Sequence, residues 1–324
     1  MNYFLNLPIN SINDEIKQLN KNLNTMIAAE NPILYAAAEQ LFSAGGKRIR
    51  PTIIFLISKF INSNNQISTE QKRLAEITEI IHTASLVHDD IIDDCDKRRG
   101  ITTVHNMFNT KVAVLAGDFL FAQSSWYLAN LNNLNVVKTI SKIITDFAEG
   151  EVQQGIKLFD SEISVAEYIE KSFYKTASLM ACSCKATIML NNNNNNIQND
   201  FYLYGKHLGL AFQIIDDILD VKGTLYDLGK SPGSDLKNGN LTAPLILALN
   251  QEPDIKKMID REFQLKPDTN ETIKKIKNTN AIQKAQDLAE EHIQLAIHIV
   301  KKKYPEKQKK NLLLIAYYVL SRIN

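Results

Sequence analysis

Apolar residues return at three- and four-residue intervals from about residue 10 to the end of this chain, the period that places side chains on one face of an α-helix. No stretch alternates apolar and polar residues between two turns, so no strand is predicted. With 8 prolines and 12 glycines in 324 residues, little interrupts the helical period. The pattern predicts helices over about 10–28, 32–43, 51–61, 70–94, 110–130, 135–156, 164–190, 198–220, 242–250, 254–262, 268–278, 280–300 and 306–322. No linker or shift of composition divides them. The asparagine run at 191–196 and the segment 223–240 read as connections inside one unit. A single all-α domain over 1–324, a large bundle, is the expectation.

Two of these helices end in aspartates. Five aspartates (Asp89, Asp90, Asp93, Asp94, Asp96) fall within eight positions at the end of the 70–94 helix. Asp216, Asp217 and Asp220 repeat the Asp-Asp-x-x-Asp spacing at the end of the 198–220 helix. On a helix, Asp89 shares a face with Asp93, and Asp90 with Asp94; like charges four apart repel unless a cation lies between them. One such cluster reads as a solvated helix end. Two copies facing each other would make a carboxylate cleft for hard divalent cations and, through them, a phosphorylated ligand.

Composition narrows the alternatives. Lys plus Arg (37) nearly balances Asp plus Glu (36), so a general affinity for nucleic acid is not expected. Cys95, Cys182 and Cys184 have neither disulfide-framework nor metal-ligand spacing, which suggests a reducing compartment. The first residues lack the basic and apolar regions of a secretory signal, and no run reaches the roughly 18 apolar residues of a membrane span. The excess of Asn, Ile and Lys suggests an AT-rich genome such as an organelle's or a parasite's. The expected location is the plastid stroma for an organelle-encoded chain, otherwise the cytoplasm.

The turn Gly45-Gly46-Lys47-Arg48-Ile49-Arg50-Pro51 puts three cations at a helix start, where the dipole is already positive. A phosphate is their natural partner, with Lys47 and Arg50 able to reach one anion; the plain alternative is a solvated basic turn. His82 lies two turns before Asp89 on the same face, a position open to a core histidine or to a phosphate contact. Arg98 and Arg99 follow the first acidic cluster and either neutralise it or grip a diphosphate above it.

These stretches resemble the trans-isoprenyl diphosphate synthases, the polyprenyl synthetase family. The resemblance rests on GGKRIRP (45–51), HTASLVHDDIIDDCDKRRG (82–100), LAGDFL (115–120), KT (175–176), GLAFQIIDDILD (209–220) and GKSPGSDLKNGNLTAP (229–244), in that order. It implies antiparallel helices around a central cavity, usually in a homodimer, and condensation of isopentenyl diphosphate with an allylic diphosphate. It implies two or three Mg2+ ions, with Asp89, Asp93 and Asp216 as main ligands and Asp90, Asp217 and Asp220 in support. Lys47, Arg50, His82 and Arg99 are implied for isopentenyl diphosphate; Arg98, Lys175, Thr176, Gln213 and Lys230 for the allylic diphosphate. Lys175, Thr176, Gln213 and Lys230 would act at the ionising bond. Small residues at Ala84 and Ser85 imply an open product tunnel and a long product, such as a quinone side chain. One departure stands out: Asn240 occupies a position where many relatives have Lys, with Lys237 as a possible substitute. A class I terpene cyclase would not need Lys47 and Arg50, and a non-catalytic partner subunit would typically have lost one aspartate motif.

Overall fold

The computed structural model describes residues 11–43, 45–62, 65–98, 100–191, 194–223, 232–265, 267–304 and 306–323. The chain runs through α1 (Asn13–Met26), α2 (Pro32–Ser43), α3 (Ile49–Ile61), α4 (Thr69–Ile92), α5 (Val104–Met107), α6 (Thr110–Ala129), α7 (Leu134–Ile156), α8 (Val165–Ser172), α9 (Ser178–Met189) and α10 (Asn195–Lys222). It continues through α11 (Ser234–Lys237), α12 (Ala243–Leu249), α13 (Asp254–Asp260), α14 (Asp268–Asn278), α15 (Ala281–Lys303) and α16 (Glu306–Ser321). The all-α class expected from the sequence is the one found.

The helix starts have local causes. Ser68 and Gln71 form a reciprocal capping box at the head of α4, and Ser164 and Glu167 do the same for α8. Asn109, Asn133 and Asn194 cap α6, α7 and α10 by accepting backbone N–H bonds. The asparagine run is therefore more than a connection, because its last residues begin the longest helix.

Helices α4 and α10 form the middle of the bundle. α4 packs on α6 and α3, while α10 lies between α9 and α15, with α16 beyond. Their buried faces supply Ile77, Ile80, Ile81, Leu208, Ile214, Ile215 and Ile218 to the main core. A smaller apolar cluster, Ala37, Val87, Val104, Ala113 and Ala116, backs the last turns of α4.

Two sequence expectations need correction. The 164–190 helix is interrupted: a π-helical turn, Phe173–Ala177, separates α8 from α9. Wider i to i+5 bonding leaves no mark in apolar periodicity, so the pattern reads straight through it. A two-stranded antiparallel ribbon also succeeds α4, β1 (Lys97–Arg98) against β2 (Ile101–Thr102), with Lys97 opposite Thr102. Two residues per strand are too few to show alternation.

Candidate active site

Helix α4 ends at Ile92, and Asp94 beyond it is exposed with a left-handed backbone, φ 48°. Asp94 therefore does not share a helical face with Asp90, contrary to the expectation from spacing. Asp89 and Asp93 remain together, half-buried on the cleft side. Asp90 lies about 100° round the helix from Asp89. It is buried, and Arg98 Nε from the ribbon donates to its Oδ1 at 2.7 Å. Burial raises the pKa of all three carboxyls, that of Asp89 to about 7. His88, on the other side, packs its ring against α6, where a Cβ on Gly117 would come within 2.2 Å of Nε2.

The second motif is positioned by close helix packing. A Cβ at Gly205 would come within 2.7 Å of the Met180 carbonyl, and one at Gly209 within 2.7 Å of Ala177 Cα. Only glycine at these two positions, four apart, lets α10 approach α9 this closely. Thr176 of the π-helical turn meets Gln213, and Tyr168 of α8 meets Asp217, in one continuous chain of bonds. Thr176 Oγ1 donates to Gln213 Oε1 at 2.6 Å, and Gln213 Nε2 donates to Asp217 Oδ1 at 2.7 Å. Tyr168 Oη donates to Asp217 Oδ2 at 2.6 Å. Burial, then the charge of Asp235, pushes the Asp217 pKa up to about 7. Asp220 is buried too; its Oδ1 accepts from Ser234 Oγ at 3.1 Å, which ties α10 to α11. Asp216 accepts from Arg322 of the C-terminal segment at 2.6 Å. That arginine also lies 4.3 Å from the Phe212 ring centroid.

Lys175, on the π-helical turn, stands beside the first motif, and the charge of Asp235 acts on both motifs, on Asp93 and on Asp217. The Lys175 ammonium pairs with Glu151 at 3.1 Å and lies in the field of Asp89 and Asp93. Burial disfavours its charge, but Asp89, Glu151 and Asp93 more than offset this and raise its pKa. The cleft thus holds an excess of carboxylates around one ammonium, an arrangement suited to hard cations and, through them, to an added anion.

A separate recess lies between α2, α4 and the ribbon, lined by Arg48, Glu79, His82, Leu86, Asp90 and Arg98 among others. Arg48 Nη1 and Glu79 form a buried ion pair at 2.7 Å, so Arg48 holds the basic turn in shape. Lys47 is exposed and Arg50 half-buried on the first turn of α3. Arg99 and Lys230 lie outside the described residues. Ala84 is fully buried and Ser85 half-buried, with Ser85 Oγ donating to the His82 carbonyl at 2.9 Å. Sequence reasoning passed over Glu151, Tyr168, Lys171, Asp235 and Arg322. Lys171 had one signal, its place four residues before Lys175; Arg322 had none.

The donors on offer suit magnesium, which takes one or two carboxylates per ion and completes its shell with water and phosphate oxygen. Asp89, Asp93 and Asp216 would offer carboxylate oxygens for it near the helix ends. Among the described residues, no three acidic, histidine or cysteine side chains close into a ready-made cage.

Comparison with known proteins agrees with this geometry. The polyprenyl synthetase family model matches residues 31–280. A prenyl transferase of Porphyra purpurea is 54% identical over 316 residues, covering 97% of each chain. The chloroplastic solanesyl diphosphate synthase 2 of Arabidopsis thaliana is 49% identical, over 88% of this chain and 69% of that one. Among solved structures, the heptaprenyl diphosphate synthase of Staphylococcus aureus superposes with a TM-score of 0.91 at 32% identity, covering 96% of this chain and 98% of that one. A polyprenyl synthase of Caulobacter crescentus complexed with calcium and isoprenyl diphosphate gives 0.90 at 30% identity, covering 98% and 97%. A fold built on α4 and α10, with an aspartate motif ending each, therefore has a family: this chain belongs to the polyprenyl synthetases, enzymes of prenyl transfer.

Proposed function

We propose that this enzyme condenses isopentenyl diphosphate with an allylic diphosphate at the cleft between α4 and α10, giving a trans-polyprenyl diphosphate of at least four isoprene units. The observation that carries the reading is the pair of aspartate motifs, both within the field of Asp235, with Lys175 beside the first. Two or three Mg2+ ions, held by Asp89, Asp93 and Asp216, would supply Lewis-acid neutralisation of the leaving diphosphate. Lys175 adds fixed positive charge where that diphosphate departs. Thr176 and Gln213, locked by the Asp217 and Tyr168 bonds, orient polar oxygens toward the developing allylic cation. His82, Arg50 and Lys47 hold the second diphosphate, and Arg98 borders both regions. Ser85, Leu86 and the facing residues of α6 keep water from the growing chain.

The chloroplastic solanesyl diphosphate synthase supports a plastid location, and a long product would suit a quinone side chain. No helix among the described residues is long and apolar enough to cross a membrane. The outer face of α6 leaves Leu115 and Trp126 more than half exposed (51% and 61%) on an apolar helix, which supports a homodimer closed over it.

The deciding experiment is the product-length distribution from purified protein, isopentenyl diphosphate and a set of allylic primers, with magnesium and with EDTA. Products of about 20 carbons or more, formed only with magnesium, are expected. No elongation of any primer, or full elongation in EDTA, rejects the reading. Lys47→Ala, Arg50→Ala and His82→Ala should raise KM for isopentenyl diphosphate above that for the primer. For the tunnel, Ser85→Phe is a cleaner probe than Ala84→Phe. Ala84 lies about 140° round the helix from Asp89 and is already enclosed by core.

A further inference from the structure

Lys171, on the last turn of α8, extends a half-buried ammonium toward the second aspartate motif. Its hydrogen-bond partners are both neutral: the side-chain oxygen of Asn240, and the Leu241 carbonyl at 3.3 Å. No carboxylate among the described residues forms an ion pair with it, although it faces the charges of Asp217, Asp235 and Glu151. It also feels the like charge of Lys175 four residues on, across the π-helical turn. A half-buried ammonium whose hydrogen bonds go to neutral oxygens, with the Tyr168 ring 5.8 Å away, has no carboxylate in direct contact, and it has a third N–H to give. A tether between α8 and the segment before α12 would need a donor there but no charge.

We propose that Lys171 is a ligand of the substrate diphosphate, aimed by Asn240 so that its ammonium and that of Lys175 bind the same leaving group from the α8–α9 side. The unit is Lys171 with Asn240, two side chains 69 residues apart whose roles are complementary. The long side chain brings the charge; the short amide fixes where it points. Lys237, the other cation near Asn240 in sequence, is exposed at the end of α11.

This inference rests on the diphosphate chemistry proposed above, and its test separates the two. Lys171→Gln keeps an N–H for Asn240 and removes the charge. Its thermal midpoint should match wild type, while kcat with the allylic primer falls about 10- to 100-fold and Lys171→Arg retains most activity. The exchange Lys171→Asn with Asn240→Lys returns one ammonium to the same place from the other element, and should restore kcat to within about five-fold. Titration of inorganic pyrophosphate with magnesium should give about ten-fold weaker binding in Lys171→Gln, a readout independent of prenyl transfer. Wild-type kcat and pyrophosphate affinity in Lys171→Gln would overturn the proposal. So would an exchange variant that folds with a wild-type midpoint yet is no more active than Lys171→Asn alone. If the wild-type protein elongates no primer, the prenyl-transfer reading fails, while the pyrophosphate titration still decides the role of Lys171.

Discussion

The two aspartate motifs have one spacing and two different physical states. In both, the second aspartate turns inward and is held by a neighbour: Asp90 by Arg98, Asp217 by Tyr168 and Gln213. The first and fifth positions differ. At the end of α4, Asp89 and Asp93 both stay on the cleft. At the end of α10, Asp220 is drawn into the α11 connection by Ser234, which leaves Asp216 as the motif's outward carboxylate. The neighbouring elements differ. α4 is followed by a left-handed residue and the ribbon, whereas Gly233 and Ser234, at the head of α11, bond to Asp220 of α10. Identical spacing thus gives two carboxylates on one wall and one on the other, an asymmetric clamp for a ligand with two unlike ends.

The sharpest break of this comparison is at the outward positions. Asp89→Asn and Asp216→Asn should each cut kcat by about 10²- to 10³-fold at saturating magnesium, measured under steady state with both substrates. Equal, small losses would show that the outward carboxylates are interchangeable with water. Next in size is Gly209→Ala, whose methyl group collides with Ala177 backbone and must move the second wall alone. It should destabilise the fold by about 1–3 kcal/mol and raise the magnesium needed for half-maximal rate, with no carboxylate removed. In its counterpart at the first wall, Gly117→Ala, the three nearest atoms all belong to the His88 ring, a side chain rather than backbone. There the loss should stay below about 1 kcal/mol in a denaturant titration, and a larger one would mean that His88 is fixed.

The smallest effect is a pH dependence. Asp217 has a folded pKa near 7 against an ordinary 3.8, so folding favours its neutral form. Its contribution is fully present below pH 3.8 and is lost as pH rises through about 7. Asp217→Asn keeps an oxygen for Tyr168 and removes the titration. In EDTA, its thermal midpoint should gain on wild type as pH rises from about 5 to 8, and a gap constant with pH would place the charge elsewhere.

The fold class was legible because apolar spacing reports helices directly, and the aspartate motifs because their repetition is visible in one line of sequence. Which aspartates face the cleft was not, since that depends on Arg98 and Ser234, residues on neighbouring elements. Tyr168 is 49 positions from Asp217 and Arg322 is 106 from Asp216, so no local pattern links them. Arg48 shows the opposite error. It stands between Lys47 and Arg50 in the basic turn, yet Glu79 already holds its charge.

The π-helical turn has a consequence for how this sequence can vary. Phe173–Ala177 carries more chain per turn than the helices on either side. Deleting one residue there would allow ordinary helical bonding to close across the gap, giving a locally more regular helix. The downstream side chains would then rotate by about 100° relative to α8, taking Thr176 off Gln213 and Lys175 off Glu151. The segment is thus intolerant of length change, and a gap falling within these five residues would mark a relative that had lost this arrangement.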